Sequence, residues 1–449
     1  MDFKELYRRK LTSPAEAVKL VKDGSEVWVG IAVPIPVTLV NALLEREDEV
    51  RDITINTVVS LYPQINWGGQ NRDSNIKIDC GYPIVGRDKV QNGDFTLTPA
   101  RFWEMPRVYT DPAIRPMNVA MTMVGPMDKH GYFCMGLGAD GTTSIARHAA
   151  KKRREGDDRF AVLVQVNNKV PRTRGDNFLH ISEIDAIIEQ DQDLASLPDE
   201  PITEEEMTIG RYCAEFVKDG STIQLGIGGI PNAVAKVFLE AGVNDLGIHS
   251  EMACDTMCEL AEAGIVTNRC KNFLPYKSIF TFAMGSQKLY DWIDDNPGVE
   301  FYPVNFVNDP HIIGQNDNLV SINACLEIDL TGQICSESIG WKQMTHPGGQ
   351  VDFVEGAFRS KGGASIIATQ ATATPSNGNG QRISKIVPNI APGGIITTPR
   401  SCSDYVITEF GVAHIKGQSI RQRVMNVINI AHPDYRDELR FEARKRNLI

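Results

Sequence analysis

The sequence predicts an α/β protein made of two similar open-sheet domains. Three observations predict it. At 449 residues the chain exceeds the size at which one hydrophobic core stops growing, so two domains are expected. The string VKDGS stands at 21–25 and again at 217–221, an offset of 217 − 21 = 196 residues. Each copy leads into an alternating strand, a glycine turn, a proline-containing helix entrance and a second strand, and Gly30 falls opposite Gly226 at the same offset. A repeat on this scale means two domains rather than a solenoid.

Taken in order, Ser13, Pro14 and Glu16 form a helix start ahead of Ala17, Val18 and Leu20. VWVGIAVPIP reads as strand and turn, followed by a helix to Glu45 and a strand from Ile53 to Val58. Residues 60–120 are rich in Gly, Pro, Asn and Asp, which predicts turns between short strands. The pattern predicts a helix over 145–152 and a buried strand over 160–166. From Glu189 to Glu206 there is no Lys or Arg, and eight residues are acidic, as in a solvated linker. The expected domains are therefore 1–190, an acidic linker 191–206, and 207–449.

In the second domain Ile223 and Leu225 predict a strand, and Gly226, Gly228 and Gly229 a tight turn. A helix follows, entered at Pro231 and Asn232, with Val234, Val237 and Phe238 on its apolar face and Gly242 at its exit. Such a turn aims backbone N–H groups at an anion. A strand over 246–250 then delivers Glu251 at its carboxyl end, the edge where open α/β sheets bind ligands. Residues 303–310 and 319–330 read as strands, 346–353 and 360–369 hold further glycine clusters, and the tail is helical.

Composition excludes some classes. Hydrophobic residues at 42% and charged residues at 23% are globular values, which excludes disordered and fibrous chains. A net charge of −11 argues against nucleic acid or an anionic membrane as partner. With no apolar stretch of spanning length and no secretory leader pattern, the expected location is cytoplasmic. The nine cysteines form no CxxC pair and read as reduced thiols; Cys254 and Cys258, four apart, read as core. No HExxH or HxxxH spacing supports a metal, and no GxGxxG or GxxxxGK[ST] supports a dinucleotide site or P-loop.

Glu251 is the candidate for chemistry. Its plain structural alternative is a glutamate in the first turn of a helix. A carboxylate beside a glycine turn is also a nucleophile for activated acyl groups, where backbone N–H groups stabilise the oxyanion. The Gly226–Gly229 turn and the Gly348–Gly349 turn are candidate donors, and His249, two residues before Glu251, shares its face on a strand. In the first copy the neighbourhood opposite Glu251 is Asn56 and Thr57, without a carboxylate, so the chemistry belongs to the second domain.

GIGGIPNAV, LGIHSEM, VNDP, DLTGQICSESIG, GGQVDF, KGGASIIA, TEFGVAHIKG and IAHPDYRDEL, with MDKHGYF and VNNKVPRTRGDNFLHIS in the first half, resemble the acetyl-CoA hydrolase/transferase family over nearly the whole chain. They are most similar there to the 4-hydroxybutyrate and butyryl-CoA:acetate CoA-transferases. The resemblance implies two CoA-transferase-type α/β domains with the active site between them, and a ping-pong reaction through a glutamyl-CoA thioester on Glu251. It also implies Ile227 and Gly349 amides as the oxyanion hole, and Asn308 near the thioester. It places Gly226, Gly228, Gly229, Ile230, Pro231, Asn232, Gly348, Gln350 and Thr374 along CoA, and Val33 and His249 at the acyl group. Coenzyme A is implied as substrate, with no tightly bound cofactor, and a homo-oligomer, commonly a dimer, as the assembly. The chain departs from the family at Thr374, in ATAT, where relatives carry a lysine near a CoA phosphate, and at the bulky Val33. An acyl-CoA hydrolase using the same glutamate and a non-catalytic CoA-binding protein are the alternatives.

Overall fold

The structure, a computed structural model, describes residues 2–82, 86–197, 201–375 and 380–449. The chain forms two compact units that are not simple halves. One comprises Met1–Leu197, Glu251–Ala253 and Ile279–Val307; the other comprises Pro198–Ser250, Cys254–Ser278 and Asn308–Ile449.

The first unit is built on six parallel strands, in the order Ile76–Tyr82, Ile53–Val59, Glu26–Trp28, Val119–Val124, Ala161–Val166, Ala186–Glu189. A parallel sheet is covered on both faces, which is why Val119–Val124 and Ala161–Val166 are buried at every position. Strand order reverses beside Glu26–Trp28, so a crevice is expected beyond its carboxyl end, at the Gly30–Pro34 turn.

The second unit also has six strands, in the order Gly247–Ile248, Thr222–Leu225, Leu319–Ala324, Ala364–Ala368, Tyr405–Thr408, Gly411–His414. All pair in parallel except the closing hairpin. Its switch point lies between Thr222–Leu225 and Leu319–Ala324. The tail helices Ile420–Asn429 and Pro433–Lys445 bury Val424, Val427, Ile428, Leu439 and Ala443 in this unit's core.

The repeat is structural. In the first copy Lys22 N donates to Ser25 Oγ (3.2 Å), Arg51 N to Asp23 Oδ1 (2.8 Å) and Gly24 N to Arg51 O (3.0 Å). In the second, Lys218 N donates to Ser221 Oγ (3.0 Å), Asn244 N to Asp219 Oδ1 (2.8 Å) and Gly220 N to Asn244 O (3.0 Å). Gly24 and Gly220 sit at φ 73° and 78°, a region that favours glycine. Each joint thus ties the start of one strand to the start of its neighbour. The second joint partners are 244 − 51 = 193 apart, three fewer than 196. Glu251 therefore falls opposite Val58 rather than Asn56 or Thr57, and again no carboxylate faces it.

At four places the structure adds to or alters the expected elements. A helix at Phe3–Lys10, capped by Asp2, precedes the expected one, because Asp2 accepts from Lys4 and Glu5 amides in a cap that the charged sequence hides. The helix expected at 145–152 spans Asp140–Arg154, since its first turn buries Asp140, Thr142 and Thr143 instead of apolar residues. Residues 303–310 are not a strand: Val304–Val307 and Pro310–Ile313 are helical turns, with Val304 and Val307 buried at helical spacing and Asp309 capping His311 N. Within the acidic run, Gln192 is tied to Asn167 and Val37, and a helix already begins at Glu204 with Thr203 and Glu206 as its capping box.

Candidate active site

The glycine turn of the second unit forms as the sequence predicts, with one shift. Strand Thr222–Leu225 is wholly buried, and the helix starts at Gly229 rather than Pro231, so Pro231 and Asn232 lie in its first turn with Ile230. Gly228, at φ 107°, is its N-cap residue, and Gly242, at φ 70°, ends it. Ile227 stands 41% exposed at the turn.

Gly210, on helix Glu204–Ala214, lets this helix approach: a β-carbon there would lie 3.0 Å from Ala233 C and 3.1 Å from Val234 N. Gly210→Ala gains helix propensity but overpacks this backbone contact, for an expected net loss of about 1–2 kcal/mol in urea unfolding.

The second glycine turn sits at the neighbouring strand. Gly348, at φ 58°, donates its N–H to His346 Nδ1 (3.2 Å), and Gly349 is the N-cap residue of helix Gln350–Arg359. Gln350 Nε2 donates to Ala324 O (2.9 Å), the last residue of Leu319–Ala324; its buried Oε1 has no partner among the described residues. Asn308, fully buried, places Nδ2 3.4 Å from Asp352 Oδ2 on the same helix. Leu225 pairs with Ile322, so both glycine turns stand at adjacent strand ends, at the switch point.

Glu251 is reached by a strand shorter than expected, Gly247–Ile248. Ser250 Oγ donates to Leu225 O (3.3 Å), and Cys254 Sγ lies 3.8 Å from Gly226 O, so the residues before and after the Glu251–Ala253 segment are tied to the edge of the glycine turn. Glu251 itself is half-buried in a bend. Its carbonyl accepts from Thr281 N (2.9 Å) and Phe282 N (3.3 Å), and Met252–Ala253 pairs with Phe282–Ala283. The first-turn alternative is thereby excluded: the next helix begins at Asp255, with Cys254 as its N-cap residue. Burial pushes the Cys254 thiol up, away from thiolate, and Cys258 is fully buried, as core cysteines.

Val33 lies in the first unit, 1% exposed, with its carbonyl accepting from Tyr62 Oη (2.7 Å). His249 is fully buried in the second unit, its ring 6.3 Å from Phe273 and 6.4 Å from Phe353. Thr374 is exposed, just after the short strand Thr372–Ala373.

Sequence reading missed Asp140, a fully buried carboxyl in the first unit. Burial pushes it up to about 7, against smaller lowering by hydrogen bonds from Thr142. A lone acid in the small-residue run GLGADGTT was the available signal.

Each unit is an open α/β sheet with a glycine turn at its carboxyl edge, the edge at which open α/β sheets bind ligands. The chain belongs to the acetyl-CoA hydrolase/transferase family, whose N-terminal domain matches residues 1–197 and whose C-terminal domain matches 285–443. It is 45% identical to a succinyl-CoA:cyclohexane-1-carboxylate CoA transferase of Geobacter metallireducens, covering 100% of this chain and 98% of that one. It is 42% identical to a 4-hydroxybutyrate coenzyme A transferase of Clostridium kluyveri, covering 99% and 100%. The crystal structure of RipA from Yersinia pestis matches with a TM-score of 0.90 at 38% identity over the whole of both chains. Among the described residues, no helix is long and apolar enough to cross a membrane.

Proposed function

We propose that this protein is a CoA-transferase that moves CoA from a short-chain acyl-CoA, such as butyryl-, 4-hydroxybutyryl- or acetyl-CoA, to a carboxylate such as acetate. The observation that carries the reading is Glu251: in a chain that matches named CoA-transferases over nearly the whole of both sequences, a half-buried glutamate sits in a bend with its carbonyl accepting from Thr281 N and Phe282 N. Backbone ties hold a nucleophile in place for attack.

In this reading the Glu251 carboxylate attacks the acyl carbonyl of the thioester, forming an acyl-glutamyl anhydride and expelling CoA thiolate. The thiolate attacks the glutamyl carbonyl, giving the Glu251–CoA thioester and freeing the first carboxylate. The acceptor carboxylate then repeats both steps in reverse, leaving new acyl-CoA and free Glu251. The oxyanion of each addition needs N–H donors, a role assigned to the Ile227 and Gly349 amides, with Asn308 beside the thioester. CoA runs along Gly226–Asn232 and Gly348–Gln350, and its remote nucleotide supplies binding energy for orienting the reacting bond.

The test is an intact-mass spectrum after brief incubation with butyryl-CoA alone, with peptide mapping at mildly acidic pH. A CoA adduct on Glu251 that acetate clears is the expected result. Butyryl-CoA loss without an adduct and without acceleration by acetate would replace the transferase with a hydrolase; neither adduct nor turnover would leave only CoA binding.

Thr374→Lys restores the basic residue that the family resemblance leads one to expect beside a CoA phosphate. The variant is expected to lower KM for butyryl-CoA several-fold at low salt, with the gain shrinking at high salt, as an exposed charge contact does.

A further inference from the structure

Glu251 is held by a hydrogen-bond ladder that runs back, within the first unit, to a buried acid. The Glu251 carbonyl accepts from Thr281 N (2.9 Å). The Thr281 carbonyl in turn accepts from Ala139 N (2.9 Å) and Asp140 N (3.1 Å), at the start of helix Asp140–Arg154. Thr281 Oγ1 is fixed separately, donating to Tyr302 O (2.8 Å). Gly138 bridges Phe282 in antiparallel fashion, and Ala283 N donates to Leu137 O (2.8 Å), so segment 137–140 is the far wall of the strand that grips Glu251.

Asp140 sets the shape of that wall. Its Oδ1 accepts from both Thr142 N and Thr142 Oγ1, each at 2.8 Å, and Thr142 Oγ1 accepts from Trp28 Nε1 (2.8 Å), the last residue of the central strand. Its Oδ2 has no hydrogen-bond partner among the described residues. It stands 3.0 Å from where a β-carbon on Gly138 would be, and the Pro34 ring lies 2.6 Å from that same point. A buried carboxyl with one oxygen unsatisfied costs stability, and such costs persist where a function requires them.

We infer that Asp140 is a positioning residue for the reaction: through Thr142 and the Ala139 and Asp140 amides it fixes Thr281, and through Thr281 the backbone of Glu251. This rests on the reading of Glu251 as the nucleophile. A positioning error of about 1 Å at a reacting group costs on the order of 10²-fold in rate.

The test measures the rate of Glu251–CoA adduct formation in single turnover with butyryl-CoA, in wild type, Asp140→Ala, Asp140→Asn and Thr142→Val. Asp140→Ala is expected to slow the adduct on the order of 10- to 100-fold, with the butyryl-CoA concentration for half-maximal rate within twofold of wild type. Asp140→Asn keeps the Oδ1 acceptor and is expected to stay within threefold. Thr142→Val removes one of the two donors to Oδ1 and the acceptor for Trp28, and covers the case in which Asp140→Ala fails to fold; it too is expected to slow the adduct at unchanged half-saturation. Equal slowing by Asp140→Asn and Asp140→Ala, or a loss confined to half-saturation, would overturn the inference. Wild type forming the adduct while folded Asp140→Ala or Thr142→Val forms it at full rate would overturn it and leave the nucleophile standing. Absence of the adduct in wild type would remove both.

Discussion

Glu251→Ala is expected to lower acetate-dependent butyryl-CoA consumption on the order of 10³-fold or more, while moving the melting temperature by no more than about 2 °C. A factor of 10³ is about 4 kcal/mol of transition-state stabilisation, which a covalent nucleophile supplies and a neighbouring water does not replace. The small change in stability follows from the structure. The residue is half-buried, and its carbonyl accepts from Thr281 N and Phe282 N, ties that alanine retains. Glu251→Asp keeps the charge but withdraws it by one methylene, and an intermediate loss on the order of 10²-fold is expected. A folded Glu251→Ala variant that retained turnover within tenfold would show that another group attacks the thioester.

Asp140→Asn is expected to make the protein more stable than wild type at pH 8, and by much less at pH 5. The unfolded Asp140 titrates near 3.8 and the folded one at about 7, so between these values the folded state binds the extra proton. Stability from this residue therefore falls as pH rises. The penalty is absent below about pH 4 and complete above about pH 7, where it reaches about 4 kcal/mol. Asparagine cannot ionise and carries no such penalty. Urea unfolding of both proteins at pH 5 and pH 8 reads the difference, and more than half of the penalty should develop across that interval. A constant gap between variant and wild type would mean that Asp140 stays charged in the fold. The sign is opposite to that of a salt-bridged surface carboxylate such as Asp157, beside Arg159, which is held low.

What the sequence made legible was local. VKDGS predicted a duplicated joint because its chemistry lies within a few residues: an Asp and a Ser that accept nearby amides, and a glycine with positive φ. The glycine turn at 226–229 and its helix were legible for the same reason. Strand 246–250 was overextended, because apolar alternation continues past the point where pairing stops at Ile248. The conformation of Glu251 was not legible, since Thr281 and Phe282, which hold it, lie thirty residues on. Residues 303–310 misled because Val304 and Phe306 alternate like a strand, while the signal that decides is Asp309 ahead of Pro310. Asp140 escaped because an acid in a run of small residues carries no periodicity. His249 and Val33 were placed at the acyl group by resemblance, and each is buried in the structure, which no alternation in the sequence foretold.

The division of the chain into interleaved units has a consequence for synthesis. A nascent chain ending at Leu197 already holds all six strands of the first sheet. It lacks Phe280, Phe282, Tyr290 and Phe301, each at most 5% exposed in the finished protein and each contributed by Ile279–Val307. The first unit must wait for a further 307 − 197 = 110 residues, roughly 6–22 s at about 5–20 residues per second, with apolar surface uncovered meanwhile. The segment that completes it follows Glu251 in the chain, so the amino-terminal unit cannot close before the proposed nucleophile has been made.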